Sequence, residues 1–140
     1  MNEALVSVIM PAYNGEAYIA EAIESIQNQT WKQWELIIIE DCSQDHTLSI
    51  IKQYLNDSRI KLYQNNRNMG IAGSRNKAIR ISTGKYIAIQ DDDDVSLPER
   101  LEEVLFLEEH RETDAVAGYW MLTDETGKEI RNIHNAYQKS

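Results

Sequence analysis

Four consecutive aspartates, Asp91 to Asp94, are the side chains whose chemistry stands out most clearly in this sequence. Adjacent carboxylates repel one another, so they are costly to hold together without a cation. Oxygen ligands of this kind suit Mg²⁺ or Mn²⁺, which proteins commonly share with the phosphate groups of a substrate. A solvated acidic turn is the alternative interpretation, because most charge runs lie on the surface.

The residues around the four aspartates predict where they lie in the fold. A short apolar run, Tyr86–Ile89, precedes them and predicts a buried strand. The segment 96–99 follows them and has capping-box spacing, with Ser96 as the predicted N-cap of a helix and Pro98 in its first turn. The aspartates are therefore predicted at the carboxyl end of a strand and just before a helix, where ligands bind in open α/β sheets.

The bulk composition limits the classes of function. A chain of 140 residues predicts one domain, and a net charge of −9 argues against a general binder of nucleic acid or of anionic membranes. A nucleotide is not excluded, since a bound divalent cation inverts the local charge. The one cysteine, Cys42, cannot form an internal disulfide and fits a reducing compartment. No apolar run approaches the roughly 20 residues that span a bilayer, so we expect a cytoplasmic protein, either free or at the inner face of the membrane.

Hydrophobic periodicity predicts alternating strands and helices. The predicted strands cover residues 6–10, 36–39, 59–64, 86–89 and 115–122, and the predicted helices cover about 16–28, 47–55, 71–81 and a segment ending near 110. On the third helix, Ala72, Ala78 and Ile79 are expected to face inward. This alternation predicts an α/β fold with a Rossmann-like, mostly parallel sheet and helices on both faces.

The familiar phosphate-binding glycine motifs are absent. Gly70 and Gly73 do not have the spacing of a dinucleotide fingerprint, and no Walker-type lysine loop occurs. Phosphates bound by this chain would therefore be held largely through a metal ion.

Polar groups follow three of the predicted strands. These groups are Pro11-Ala12-Tyr13-Asn14, the segment 40–45 that begins with Glu40 and Asp41, and the four aspartates. In a parallel sheet all three lie at the same edge, where an aromatic ring, a carboxylate that accepts a base N–H and a metal site can together hold a nucleoside diphosphate. Alternatively, Tyr13 is a surface aromatic residue and Asp41 only caps the next helix.

Four segments of the chain resemble, in order and spacing, the successive blocks of family-2 glycosyltransferases with the GT-A fold. The segments are 6–14, 35–47, 70–76 and 84–101. The resemblance implies metal-dependent, inverting transfer of a sugar from a nucleotide-diphosphate donor, usually a UDP-sugar, to a saccharide or lipid-linked acceptor. It also implies Mg²⁺ or Mn²⁺ as cofactor and a role in cell-surface polysaccharide biosynthesis.

The same resemblance assigns roles to individual residues. Its implied donor-binding residues are Pro11, Ala12, Tyr13, Glu40, Asp41, Arg75 and Asp92, and its implied metal ligands are Asp91 and Asp93 of the Asp-x-Asp motif. Pro11 and Tyr13 match positions that contact the nucleobase, and Asp41 matches the carboxylate that accepts a base N–H. Asp93 is the expected metal ligand, and Asp92 or Asp91 is expected to reach the ribose or a metal-bound water.

Two departures from the family pattern affect the interpretation. Cys42 stands where the family usually has glycine, which puts the backbone conformation of that loop in question. Nothing after Leu122 resembles the acceptor half of the family's domain, so residues 1–140 are expected to form the donor-binding half only. The catalytic base is then not in this chain, and Glu125 and His134 are interpreted as surface residues. A sheet ending near Leu122 would leave apolar surface beside the acidic strand, and either self-association into a homo-oligomer or a poorly ordered tail after Lys128 is therefore expected.

Two other functions compete with glycosyl transfer. A module that binds a nucleotide-sugar without transferring it would use the same donor-binding residues. A haloacid-dehalogenase-like phosphatase would use Asp91 as nucleophile, with Asp93 two residues later, but it requires a later lysine and a second acidic pair that are not evident.

Overall fold

A computed structural model describes residues 4–111, 115–117 and 121–132 of the chain. The strands are β1 (Val6–Ala12), β2 (Trp34–Glu40), β3 (Ile60–Gln64), β4 (Tyr86–Ile89), β5 (Met121–Thr123) and β6 (Glu129–Asn132). The helices are α1 (Ile19–Gln27), α2 (Thr47–Lys52), α3 (Gly70–Ile81) and α4 (Arg100–Arg111). The chain divides into two compact units, Met1–Glu102 and Glu103–Ser140.

The first unit contains a four-stranded parallel sheet in the order β3-β2-β1-β4. The predicted α/β fold class is therefore confirmed. The chain moves to one side from β1 to β3 and then crosses back to place β4 on the other side of β1. Because such crossovers are right-handed, α1 and α2 lie on one face of the sheet and α3 lies on the other. The strand order reverses between β1 and β4, which makes their carboxyl ends the preferred ligand position in this topology.

Both faces of the two central strands are buried. Ile9, Ile37 and Ile39 form a cluster with Ala78 of α3, and Ile81 packs against it. The residues that alternate with these in the two strands point to the opposite face and are also buried; they are Val8, Met10, Leu36 and Ile38. The buried apolar residues of α1 are Ile19, Ala22, Ile23 and Ile26. The continuous apolar run of β2 follows from this burial on two sides, as predicted.

Strand β1 continues through Pro11 to Ala12, two residues further than predicted. The carbonyl of Ile9 accepts from the amide of Gln90 beyond β4, whereas that of Ala12 accepts from the amide of Asp41 on the β2 side. Since successive residues of a strand alternate in direction, the missing N–H of Pro11 points toward the β4 side. Pairing with β4 has already ended there at Ile89, so no ladder bond is lost.

The inward face of α3 differs from the prediction. Ser74 and Ala78 are its buried residues, while Ala72 and Ile79 are exposed. The prediction for Ala72 and Ile79 is therefore wrong. Ser74 takes an inward position because its hydroxyl accepts a hydrogen bond from Asn65 Nδ2 at 3.0 Å. The spacing of apolar residues cannot predict such a polar contact.

Strand β4 is half-buried rather than buried. Tyr86 and Ala88 are partly covered, whereas Ile87 is 43% exposed and Ile89 is 48% exposed. In the part of the chain that the structure describes, β1 is the only strand paired with β4. Helix α3 packs on β1 and β2, so the prediction of a buried strand is wrong because this edge of the sheet has less cover.

The predicted N-cap at Ser96 is also wrong. Helix α4 begins at Arg100, and the Ser96 hydroxyl donates to Gln90 Oε1 at 2.6 Å instead of capping a helix. A buried side-chain acceptor has therefore displaced the local capping interaction.

The amino edge of the sheet is joined by one buried carboxylate. Glu35 Oε1 accepts hydrogen bonds from the hydroxyl of Ser7 and from both the amide and the hydroxyl of Thr83. Glu35 Oε2 forms an ion pair of 2.6 Å with Lys61. Since Ser7, Lys61 and Thr83 belong to β1, to β3 and to the segment before β4, this network connects all four strands opposite to the candidate site.

In the second unit, β5 and β6 form an antiparallel pair. The predicted turn at 124–127 is confirmed, because Asp124 Oδ1 accepts from the amides of Thr126 and Lys128 and Gly127 has a φ of 81°. The predicted strand at 115–122 is wrong in its bounds, since residues 115–117 are not extended in a sheet and β5 begins at Met121. Residues 118–120 lie outside the described residues. None of the described helices combines the length and apolar character needed to cross a membrane.

Candidate functional site

A direct hydrogen bond joins the carboxyl ends of β1 and β4. The amide of Tyr13 donates to Asp92 Oδ2 at 3.0 Å, across the position where the strand order reverses. Gly15 permits this approach, because a Cβ at that position would lie 2.7 Å from the same Asp92 oxygen. The predicted convergence of the β1 end with the acidic segment is therefore confirmed.

The loops that follow β1 and β2 are joined by a second set of hydrogen bonds. The amide of Asn14 donates to the Ser43 hydroxyl at 3.0 Å, and the amide of Gln44 donates to Asn14 Oδ1 at 2.9 Å. Asn14 adopts a left-handed φ of 49°, which asparagine tolerates better than most residues. The ends of β1, β2 and β4 thus form one continuous edge, as predicted.

Asp41 is buried at this edge and binds the start of α3. It is 3% exposed. Its Oδ1 accepts from Asn65 Nδ2 at 2.8 Å and from the amide of Met69 at 2.7 Å, while its Oδ2 accepts from the amide of Gly70 at 2.9 Å. An ionised carboxylate has about four acceptor positions, so Oδ2 retains capacity for one more donor. Asp41 therefore satisfies amides at the start of α3, whereas Asp45 accepts from the amide of Thr47 at the start of α2.

The acidic residues divide between inward and outward positions. Asp92 is turned toward Tyr13, whereas Asp91, Asp93 and Asp94 are exposed. Asp91 Oδ1 forms an ion pair of 2.9 Å with Arg75 Nη2. Among the described residues, the Asp93 carboxylate forms no hydrogen bond or ion pair with another side chain or amide. Two of the three exposed acids, Asp91 and Asp93, are the predicted metal ligands, and Arg75 contacts Asp91.

The pKa values of Asp92 and Asp94 are raised, in part by the negative charges of the neighbouring aspartates. Burial raises the pKa of the Asp92 carboxyl, the Tyr13 amide lowers it, and the charges of Asp93 and Asp91 raise it further. Burial also raises the pKa of Asp94, the charges of Asp91 and Asp93 add to that rise, and Arg100 opposes it. A divalent cation would relieve this repulsion.

The loop formed by residues 91–95, called the acidic loop below, fits a shared metal site better than an all-protein one. No group of three or more histidine, cysteine or acidic side chains in the described residues is arranged to hold a metal ion. Mg²⁺ is commonly held by one or two carboxylates together with substrate phosphates and water. Asp91 and Asp93 suit that arrangement. The buried Nε of Arg75 has no hydrogen-bond partner within the described structure, so it retains a donor for an anionic ligand.

The remaining predicted residues lie at the same edge but differ in access. Pro11 and Ala12 are buried in β1, whereas Tyr13 is exposed just beyond it. Glu40 is buried, and its Oε1 accepts from the amide of Ser43 at 2.6 Å. Tyr13 is thus the member of this group with a surface free to meet a ligand, and Glu40 shapes the loop after β2.

Cys42 adopts the backbone conformation that glycine usually supplies. Its φ is 65°, and its thiol donates to the carbonyl of Asn65 at 3.2 Å. The loop after β2 therefore keeps a left-handed residue even though glycine is absent there.

Sequence reasoning missed three residues that shape this edge. Asn65 bridges Asp41 and Ser74, and Gln90 and Arg100 bond to each other beside the acidic loop. Two signals were available in the sequence. Asn65 directly follows a predicted strand, and Gln90 directly precedes the aspartates, so both are polar residues at strand ends.

The parallel sheet and the joined loops at its carboxyl edge define an α/β domain with a candidate ligand position at the topological switch point. The chain belongs to Glycosyl transferase family 2, whose sequence profile matches residues 7–139, and its fold is that of the GT-A glycosyltransferases. The resemblance to this family is therefore confirmed, and it replaces the phosphatase interpretation.

Individual relatives agree with this membership. The putative glycosyltransferase EpsE of Bacillus subtilis (strain 168) is 50% identical over 125 residues, which are 87% of this chain and 45% of EpsE. The crystal structure of residues 1–349 of S. aureus TarS in complex with UDP-GlcNAc matches with a TM-score of 0.70 and 35% identity, over 75% of this chain and 31% of that one. The mannosyltransferase PcManGT from Pyrobaculum calidifontis, in complex with GDP-Man and Mn²⁺, matches with a TM-score of 0.61 and 27% identity, over 64% and 28% of the two chains. This chain spans less than half the length of EpsE.

Proposed function

We propose that this chain binds a nucleotide-diphosphate sugar, with a UDP-sugar as the expected donor, for transfer to a saccharide or lipid-linked acceptor hydroxyl in cell-surface polysaccharide biosynthesis. The observation that carries the proposal is the 3.0 Å bond between the Tyr13 amide and Asp92, which brings the predicted base-binding loop against the acidic loop. The match to TarS in complex with UDP-GlcNAc supports the same class of donor.

The geometry suggests how the nucleoside would be held. The ring of Tyr13 is exposed and can stack on a base. The acceptor position left on Asp41 Oδ2 can take a base N–H, in the manner that a uracil ring offers one. Pro11 and Ala12 directly precede Tyr13, Glu40 directly precedes Asp41, and all three are buried, so we expect them to support these two residues. Asp92 has one oxygen engaged by Tyr13, which leaves the other for a ribose hydroxyl.

The diphosphate would be held by Arg75 and by the cation that Asp91 and Asp93 bind. Bound Mg²⁺ or Mn²⁺ would act as a Lewis acid that stabilises the charge developing on the diphosphate leaving group. Arg75 already pairs with Asp91 and keeps its Nε unpaired, so it can turn a donor toward a phosphate oxygen. The family resemblance implies that the acceptor attacks from the face opposite the leaving group and inverts the anomeric centre.

The group that deprotonates the acceptor is not assigned to a residue of this chain. Glu125 is exposed in the turn between β5 and β6, and His134 lies outside the described residues. Binding without transfer is therefore the second candidate function, because it would use the same donor-binding residues. Release of UDP from a UDP-sugar in the presence of acceptor distinguishes transfer from binding.

Titration calorimetry of UDP with Mn²⁺ and with EDTA tests the donor site. We expect measurable binding with Mn²⁺ and much weaker binding with EDTA. Asp93→Asn keeps the side-chain shape but removes a charge and weakens an oxygen ligand, so the Mn²⁺-dependent part of the affinity should fall about tenfold or more. Glu99→Gln is the matched control, because Glu99 is an exposed acid just beyond the loop.

The controls separate a specific site from a general charge effect. Equal losses in the Asp93→Asn and Glu99→Gln variants would mean that only the overall charge matters. Equal UDP affinity with Mn²⁺ and with EDTA would remove the metal from the proposed function.

A further inference from the structure

Gln90 connects the end of β4 to the start of the acidic loop, and it is 1% exposed. The main-chain amide of Gln90 donates to the carbonyl of Ile9 at 3.0 Å, and this bond fixes the backbone of Gln90 against β1. A glutamine so deeply buried must satisfy both ends of its side-chain amide. The partners it finds are all in or beside the loop.

The side chain of Gln90 closes the acidic loop on itself. Its Nε2 donates to the carbonyl of Asp94 at 2.6 Å, and its Oε1 accepts from Ser96 and from Arg100 Nη1 at 2.8 Å. The orientation of the amide follows from these neighbours. A guanidinium can only donate and a main-chain carbonyl can only accept, so oxygen must face Arg100 and nitrogen must face Asp94.

Arg100 ties the two ends of the loop to each other. Its Nη2 donates to the carbonyl of Ile89 at 2.7 Å, before the acids, and its Nη1 donates to the Ser96 hydroxyl at 2.9 Å, after them. The amide of Ser96 in turn donates to the Ser25 hydroxyl of α1. The acidic loop thus begins and ends at points that are held by side chains outside it.

We propose that Gln90 and Arg100 are positioning residues that hold the acidic loop in the curvature its outward acids need to bind a divalent cation together with a diphosphate. This inference rests on the proposed function. Its physical basis is that four adjacent carboxylates repel one another and favour a more open loop when no cation is bound. A frame that resists opening lowers the cost of ordering the loop when the ligand arrives.

The distribution of charge is consistent with this role. Arg100 is partly buried, and burial lowers the pKa of its guanidinium while the Asp94 charge raises it. Its guanidinium bonds Gln90, the Ser96 hydroxyl and the carbonyl of Ile89 rather than an outward acid. It therefore supports the shape of the loop without competing for the oxygens of Asp91 or Asp93.

Gln90→Met tests the proposal, because methionine has a similar volume and no amide. We expect the affinity for UDP in the presence of Mn²⁺ to fall about tenfold, with no change in the affinity measured in EDTA. Arg100→Lys is a milder variant that keeps the charge and only part of the donor geometry, so it should lose affinity to a smaller extent. Hydrogen exchange of the amides of residues 91–95 should quicken in both variants.

Gln29→Met is the matched control. Gln29 is a fully buried glutamine whose Nε2 donates to the carbonyls of Ser25 and Leu97 and whose Oε1 accepts from the amide of Leu101. Its side chain makes three hydrogen bonds, against four for the side chain of Gln90, and bonds none of the four aspartates. We expect Gln29→Met to lower Tm about as much as Gln90→Met while leaving the Mn²⁺-dependent affinity for UDP unchanged.

The outcomes distinguish this inference from the proposed function. If wild-type protein binds UDP with Mn²⁺ and the Gln90→Met variant binds it equally well, the positioning role is wrong and the donor site stands. Equal affinity losses in the Gln90→Met and Gln29→Met variants would show general destabilisation instead of positioning. Wild-type binding that does not depend on Mn²⁺ would overturn the metal site and the inference together.

Discussion

At the scale of single residues, Asp41 shows how one side chain can serve the fold and a site together. Its carboxylate already accepts from Asn65, Met69 and Gly70. Asp41→Asn replaces one acceptor oxygen by a donor, which leaves an amide at the start of α3 unsatisfied. We predict a loss of about 1–3 kcal/mol in the free energy of unfolding, measured by urea denaturation, and a weaker affinity for UDP with and without Mn²⁺.

The control for this prediction is Asp45→Asn. Asp45 accepts from the amides of Thr47 and Glu16 in the neighbouring loop, and no role in donor binding is proposed for it. Both variants should be destabilised, but only Asp41→Asn should reduce the preference for UDP over GDP. An unchanged preference in the Asp41→Asn variant would leave Asp41 with its structural role alone.

Cys42 offers a second prediction at this scale. A side chain with a φ of 65° is strained by roughly 1 kcal/mol relative to glycine. Cys42→Gly removes that strain but gains chain entropy in the unfolded state and loses the thiol contact to Asn65, so we expect its free energy of unfolding to stay within about 1 kcal/mol of wild type. Cys42→Val should be destabilised by more than that, because a β-branched residue is an outlier in this conformation. Equal stability of the glycine and valine variants, measured by thermal unfolding, would contradict the assignment of strain.

At the scale of secondary-structure elements, Glu35 holds the amino ends of the strands together. Burial raises the pKa of its carboxyl, but hydrogen bonds from Lys61, Ser7 and Thr83 outweigh burial and lower the pKa to about 2. A carboxyl whose pKa is lower in the folded state stabilises the fold above its unfolded pKa, here 4.5. That stabilisation is lost as the pH falls from about 4.5 toward 2.

We predict that Glu35→Gln lowers the free energy of unfolding at pH 7 by about 2 kcal/mol. This is less than the full pKa shift of Glu35 corresponds to, because solvent around the partly exposed Lys61 screens its ion pair with Glu35. The difference between wild type and variant should shrink as the pH falls through the same window, which urea denaturation at several pH values can follow. Glu24→Gln is the control, because Glu24 is an exposed glutamate whose side chain, among the described residues, accepts a hydrogen bond from Tyr54 alone. A Glu35→Gln difference that stays constant with pH would show that its charge is not what stabilises the sheet.

The elements and their order were predictable from the sequence, whereas their contacts were only partly so. Apolar periodicity and turn residues predict the β–α alternation, and parallel pairing then requires the ends of β1, β2 and β4 to share an edge. The bond between Asp41 and Gly70 spans 29 residues, and no local pattern encodes it. The same limit explains Ser96, whose hydroxyl bonds Gln90 instead of capping α4. The burial of β4 depends on which strands α3 covers, and that is a property of the packed sheet.

At the scale of the whole molecule, the half-exposed face of β4 is the basis for the expected association state. Ile89 pairs in register with Ile9, which packs under α3, so Ile87 and Ile89 lie on the same face as that helix. Helix α3 packs on β1 and β2, and both isoleucines remain about half exposed. Neighbouring exposed apolar side chains on an edge strand favour association with another chain.

We therefore predict that the chain self-associates through this face at micromolar concentrations, and that Ile87→Lys shifts it toward the monomer. A lysine on an edge strand opposes strand pairing by its charge and by its hydration. Leu55→Lys is the matched control, since Leu55 is 40% exposed and lies beyond α2, away from β4. Sedimentation velocity over a range of concentrations measures the effect. If wild-type protein sediments as a monomer throughout, or if Leu55→Lys dissociates it as well as Ile87→Lys does, the exposed face of β4 is not the surface that associates.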